Sequence, residues 1–118
     1  MDRWQALQSF WSSFGWTAYD ENSVPDNAEL PYITYRASVG SLEDVFNVDA
    51  SLWERSESWA NISRKADQIS DYIGSHQSIK IDGGYMYVTR GNPFAQRMDG
   101  GDGIRRIYVM TAVEFLHN

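Results

Sequence analysis

The sequence predicts an α+β domain, a mixed and largely antiparallel sheet of about five strands with two helices on one face. Three observations carry that prediction. Two segments repeat apolar residues at helical spacing, several others alternate with a period of two, and glycine or proline punctuates the boundaries between them. At 118 residues the chain has the size of one domain, residues 1–118, built on one core.

The first helix is predicted from about residue 3 to 14. Trp4, Leu7, Trp11 and Phe14, with Phe10 beside them, form one apolar stripe. Asp2 is a suitable N-cap and Gly15 a suitable left-handed residue after the last turn. Residues 20–31 are polar, acidic and interrupted by Pro25 and Pro31, which predicts an exposed loop. Ile33, Tyr35, Ala37 and Val39 then alternate with Tyr32, Thr34, Arg36 and Ser38 up to Gly40, the pattern of a half-buried strand.

Residues 45–55 hold Val45, Phe46, Val48, Leu52 and Trp53 in weaker alternation, predicting a second strand that is bulged or entered late near residue 48. From Trp59, the spacing of Ile62, Ala66, Ile69 and Ile73 predicts the second helix, with Glu57 at its positive start and Gly74 as its stop. Ile79 and Ile81 run into Asp82-Gly83-Gly84, a tight-turn sequence, and Tyr85–Arg90 returns as the partner strand. Residues 91–103, with four glycines and Pro93, predict a thirteen-residue loop, longer than an ordinary hairpin connection. Ile104–Leu116 reads as a long final strand, so the expected order is α-β-β-α-β-β-β.

That final strand carries apolar residues on both alternations, Ile107, Val109, Val113 and Phe115 on one, Ile104, Tyr108, Met110, Ala112 and Leu116 on the other. If the helices cover one face, a loop or a second subunit must cover the other, and an oligomer is expected. Phe94, Arg97 and Met98 in the expected loop, Arg90 flanking it, and Tyr108 and Met110 in the strand are the candidate subunit or partner interface, since mobile apolar residues flanked by arginine suit a docking surface.

Chemistry finds little purchase. The net charge of -6 opposes nucleic-acid binding. Cysteine is absent, which removes disulfides, thiolate metal sites and thiol nucleophiles. His76 and His117 are too few and too peripheral for a metal cluster or a triad, and both are expected to be solvated. Asp99-Gly100-Gly101-Asp102-Gly103 fails as a calcium loop, because Met110 stands where the bidentate Glu belongs, and fails as a phosphate loop, because a strand follows. Glu43, Asp44, Asp82 and Glu114 are not spaced as a catalytic pair.

Trp4, Trp11 and Trp59 are expected in the core, whereas Trp16, Trp53, Tyr85 and Tyr87 are open to protein contact. No catalytic residue, metal site or cofactor is expected. The opening residues Met1-Asp2-Arg3-Trp4 lack a signal-peptide pattern and no apolar run is long enough to span a membrane, so cytoplasmic residence is expected, and the sequon Asn61-Ile62-Ser63 is taken as unmodified.

The opening helix, the strand Leu30-Pro31-Tyr32-Ile33-Thr34-Tyr35, the passage Ser51-Leu52-Trp53-Glu54-Arg55-Ser56 and the closing Arg105-Arg106-Ile107-Tyr108-Val109 together resemble the tail-terminator and minor tail proteins of long-tailed, siphovirus-like bacteriophages and prophages, especially those of Gram-positive hosts. The resemblance implies a non-catalytic virion protein that assembles as a hexameric ring on the head-proximal end of the tail tube, stops its growth and offers a surface for head-tail joining. It implies three protein partners, namely further copies of the chain, the tail-tube protein and a neck or head-completion protein. Genome DNA would pass through without specific binding. A neck or head-closure protein is the nearest alternative, and a monomeric ligand-binding, enzymatic or adaptor domain the more distant one.

Overall fold

The computed structural model describes residues 1–38, 45–74 and 78–117. Helix α1 spans Arg3–Ser12 and α2 spans Ala60–Ile73. The strands are β1 (Thr17–Asp20), β2 (Tyr32–Ser38), β3 (Phe46–Arg55), β4 (Ser78–Ile81), β5 (Gly84–Asp99) and β6 (Ile104–His117), with one 3-10 turn at Glu21–Ser23. They form one sheet in the order β1-β2-β3-β6-β5-β4, parallel between β1 and β2 and antiparallel elsewhere. The α+β class and the largely antiparallel sheet therefore hold, with six strands among the described residues rather than about five, the additional one lying between the first helix and the first predicted strand.

Asp2 caps α1 as expected, accepting from the Gln5 backbone N–H at 2.8 Å while the Gln5 side chain accepts from the Asp2 backbone N–H at 2.9 Å. The helix ends at Ser12, two residues earlier than predicted, and Gly15 takes the expected left-handed φ of 86°. Its buried stripe is Ala6, Leu7, Phe10 and Trp11, continued beyond the helix by Phe14. Trp4 does not belong to it. At 57% exposure it sits in the first turn at the margin of that stripe, which corrects its assignment to the core.

Along the strands, burial follows one parity. Ile33 and Tyr35 on β2, Phe46, Val48, Ala50 and Leu52 on β3, Met86 and Val88 on β5, and Ile107, Val109, Val113 and Phe115 on β6 share one side of the sheet through their register, and Ile62, Ala66, Ile69 and Ile73 of α2 join the same buried cluster. Each fully buried side chain of that size stabilises the fold by ~1.5–3 kcal/mol. Helix α2 packs on β3, β5 and β6, whereas α1 touches β1 and β4, the two outermost strands. The sheet therefore curls around its core, and α1 bridges the two edges.

Four further expectations change. β1 falls in a stretch that gave no strand signal, because only Ala18 of its four residues is buried. β3 starts at Phe46 and pairs with both neighbours without a register shift, so it is neither bulged nor late. The predicted loop 91–103 is mostly strand, since β5 continues to Asp99 and only residues 100–103 turn back. The irregularity lies inside β5, where pairing jumps from Arg90↔Thr111 to Ala95↔Val109, so four residues oppose Met110 alone. Trp59, the N-cap residue of α2, is half-buried against the core rather than enclosed by it.

Gly40, Glu43, Asp44 and His76, together with the side chain of His117, lie outside the described residues. No described helix is long and apolar enough to cross a membrane.

Candidate functional site

The side of the sheet turned away from both helices is a regular grid. One row runs Tyr32, Trp53, Arg106, Met98, the next Thr34, Ser51, Tyr108, Gln96, and a third Arg36, Asp49, Met110. Thr34 and Ser51 are short and their neighbours long, so a hollow of about 110 Å³ opens over them, walled by Glu21, Arg36, Asp49, Arg106 and Tyr108.

Hydrogen bonds hold the walls. The Arg106 guanidinium donates to Ser51 Oγ from Nε at 3.1 Å and from Nη2 at 3.0 Å, and lies 4.6 Å over the Trp53 ring. The Trp53 indole N–H in turn donates to Thr34 Oγ1 at 3.0 Å. A guanidinium stacked on an aromatic face and bonded at its edge has little rotamer freedom left, so this wall is preorganised. Across the hollow, Arg36 stands 3.6 Å from Asp49 and 3.7 Å from Glu21, contacts of charge rather than hydrogen bonds.

Asp49 is deeper than either partner, with 16% of its side chain exposed, and its buried Oδ1 has no hydrogen-bond donor. Burial raises the Tyr108 phenol above its ordinary range. The neighbouring Asp49 carboxylate, which favours the protonated phenol as an acceptor and whose charge opposes a phenolate, raises it further, against weaker opposing effects from Arg36 and Arg106.

The six interface candidates separate into two groups. Met98, Tyr108 and Met110 are half-buried and share the helix-free face. Arg90 and Arg97 instead serve α2, Arg90 through Nη1 donating to Ser70 Oγ at 2.9 Å and Arg97 by stacking 4.8 Å over Trp59. Phe94 packs against the core. Arg36, Asp49, Ser51 and Arg106 were not anticipated. The signal of the first three is the polar half of the period-two pattern in residues 32–38 and 47–53, which reads as ordinary solvated surface until the strands are paired.

A second, shallower groove of about 180 Å³ lies between α2 and the distal part of β5, beside Ser63, Asp67 and Arg97. Among the described residues, no group of three or more His, Asp or Glu side chains could hold a metal ion. No family model matches the chain, and no curated protein matches it.

Proposed function

We propose that this chain is a non-catalytic virion protein, a tail-terminator subunit that forms a ring on the head-proximal end of a long phage tail, stops tube growth and presents a surface for joining the head. The observation that carries this reading is the composition of β6. One set of its side chains closes the core, while Tyr108, Met110, Ala112 and Leu116 stand half-buried or exposed on the side that neither helix covers. A monomer gains nothing by leaving such a strand uncovered, whereas a subunit contact buries it.

The sequence resemblance supplies the ring, the tube and the neck protein as partners, and the net charge of -6 suits a channel through which DNA slides without being held. Native mass spectrometry of the purified chain, together with electron microscopy of tails made without it, tests the reading. Six copies in one particle and over-long, headless tails are expected. A strictly monomeric chain whose loss leaves tail length and head attachment unchanged overturns it.

A further inference from the structure

β5 is longer than the strand beside it. β4 pairs with it only from Gly84 to Tyr87, so further along β5 has β6 on one side and no strand on the other. Between the irregular stretch that ends at Ala95 and the turn at residues 100–103, the five residues Ala95–Asp99 form a regular edge. Among the described residues, no backbone hydrogen bond other than the ladder to β6 reaches them, and Ala95, Gln96 and Arg97 are exposed. The outer side of such a strand presents a row of N–H and C=O groups at the spacing of a sheet, and an extended backbone is what meets that row.

The groove between α2 and the distal part of β5 opens along the same edge. Its floor is Ala66, Ala95 and Ile107, and Ser63 and Asp67 of α2 rim it. Gln96 lines it too, although its side chain belongs to the row on the opposite face, so the groove reaches the β5 backbone. A side chain of the next strand, pointing to the helix-covered side, would fall there. Asp67 and Arg97 cancel in formal charge, and Arg97 lies 4.8 Å over the Trp59 ring, so an uncharged, apolar side chain suits the floor.

We propose that Ala95–Asp99 is a docking edge on which an extended segment of a different protein adds as a further strand, seating an apolar side chain in the groove beside α2. Backbone pairing holds the segment and the groove selects it. A second copy of the chain suits this place poorly. Its outermost strands, β1 and β4, lie against α1, whose Gln8 donates to the Ala18 carbonyl at 2.9 Å. The antiparallel register that pairs all five residues with the same five of another copy sets Arg97 opposite Arg97, a like-charge pair. The irregular stretch with Pro93 upstream and the turn downstream limit the edge to one short strand, which guards against open-ended pairing. The edge lies apart from the helix-free face of β6, so its occupancy does not depend on a ring.

The test is an NMR titration of the whole chain, with hydrogen exchange of the amides of residues 95–99. The probe is a blocked heptapeptide that alternates threonine and valine between terminal lysines. Three companions carry aspartate in place of valine, N-methyl groups on the valine nitrogens, or N-methyl groups on the threonine nitrogens. The valine peptide is expected to give saturable shifts at residues 95–99 and at the Ala66 methyl, and to slow exchange of the outward amides several-fold. The aspartate peptide should give none at equal concentration. One of the two methylated peptides should lose the response, since each lacks the donors along one edge.

Ala95→Phe and Ser63→Phe each fill the groove and should abolish the shifts while amide dispersion elsewhere persists. The proposal is overturned by absent shifts, by an equal response to the aspartate peptide, by both methylated peptides binding like the parent, or by either folded variant that still binds. Shifts of the same amides with rising concentration of the chain alone also overturn it, because they give the edge to a second copy.

Discussion

Glu54 and Arg105 lie directly opposite each other on β3 and β6, on the helix-covered side, and each leaves one buried atom, Oε1 and Nε respectively, without a hydrogen bond. Glu54 is 8% exposed, its Oε2 accepts from the Asn61 side chain of α2, and Arg105 Nη2 donates to the Glu57 carbonyl at 2.8 Å. This polar pair pins the start of α2 to the sheet.

Asn61→Ala is therefore expected to destabilise the chain by about 1–3 kcal/mol in urea unfolding, because it removes a donor from a buried carboxylate. The double variant Glu54→Leu/Asn61→Ala should regain part of that loss, since leucine removes the buried carboxylate that lost its donor, while Arg105 keeps the Glu57 carbonyl and the Trp59 ring. A double variant less stable than Asn61→Ala alone would contradict the account.

Trp59 is held between two guanidiniums, Arg97 at 4.8 Å and Arg105 at 5.1 Å from the ring centre. Trp59→Ala should cost about 2–4 kcal/mol through lost packing and both cation contacts, and Arg97→Ala about 1 kcal/mol or less, because Arg97 is exposed. Calorimetry of the two variants should preserve that order.

Gly91 sits within the irregular stretch of β5, where an added Cβ would lie 2.9 Å from Met110 Cβ and 3.0 Å from the Met110 carbonyl oxygen. Gly91→Ala is expected to cost about 1–3 kcal/mol by overpacking. Adding Met110→Ala should not relieve it, because the clash is with Cβ and backbone, which alanine retains.

Trp4 and Trp11 lie on the same helix in opposite environments, 57% exposed and fully buried. Trp4→Ser should stay within about 0.5 kcal/mol of the parent, and Trp11→Ala should lose about 3–5 kcal/mol. Equal losses would return Trp4 to the core.

Tyr35 donates to Gln8 Oε1 at 2.5 Å, and its phenol is raised above the ordinary value of about 10, first by burial and then by the charge of Asp20. A phenol with a raised folded-state pKa holds its proton more tightly in the fold than in the unfolded chain. Its contribution is complete below pH about 10 and is lost as pH climbs above that value. Tyr35→Phe should flatten the alkaline limb of the stability curve while costing about 1 kcal/mol at neutral pH through the lost hydrogen bond.

Two of the interface candidates report on different things when replaced by aspartate. With Phe94 packed against the core, Phe94→Asp would report on folding, whereas Met98→Asp, on the helix-free face, still reports on contact.

Local pattern was sufficient wherever burial follows the period of a single element. The stripes of both helices, the inward residues of β2 and β6 and the turn at Asp82-Gly83 are legible for that reason. So is the doubly apolar β6. β1 escaped because one buried alanine makes no pattern, and β5 beyond Arg90 escaped because glycine and proline signal a loop unless a partner strand accommodates them in an irregular stretch.

Composition and periodicity thus determined an α+β domain with one core, and the absence of a catalytic signature came from motifs that failed. Strand order decided the rest. Ser51 meets Thr34 and Tyr108, and Arg36 meets Asp49, only because β2, β3 and the sequence-distant β6 lie side by side in one register. Backbone pairing is set by long-range burial on the opposite side of the sheet, so within any one segment the polar face it assembles reads only as ordinary solvated surface.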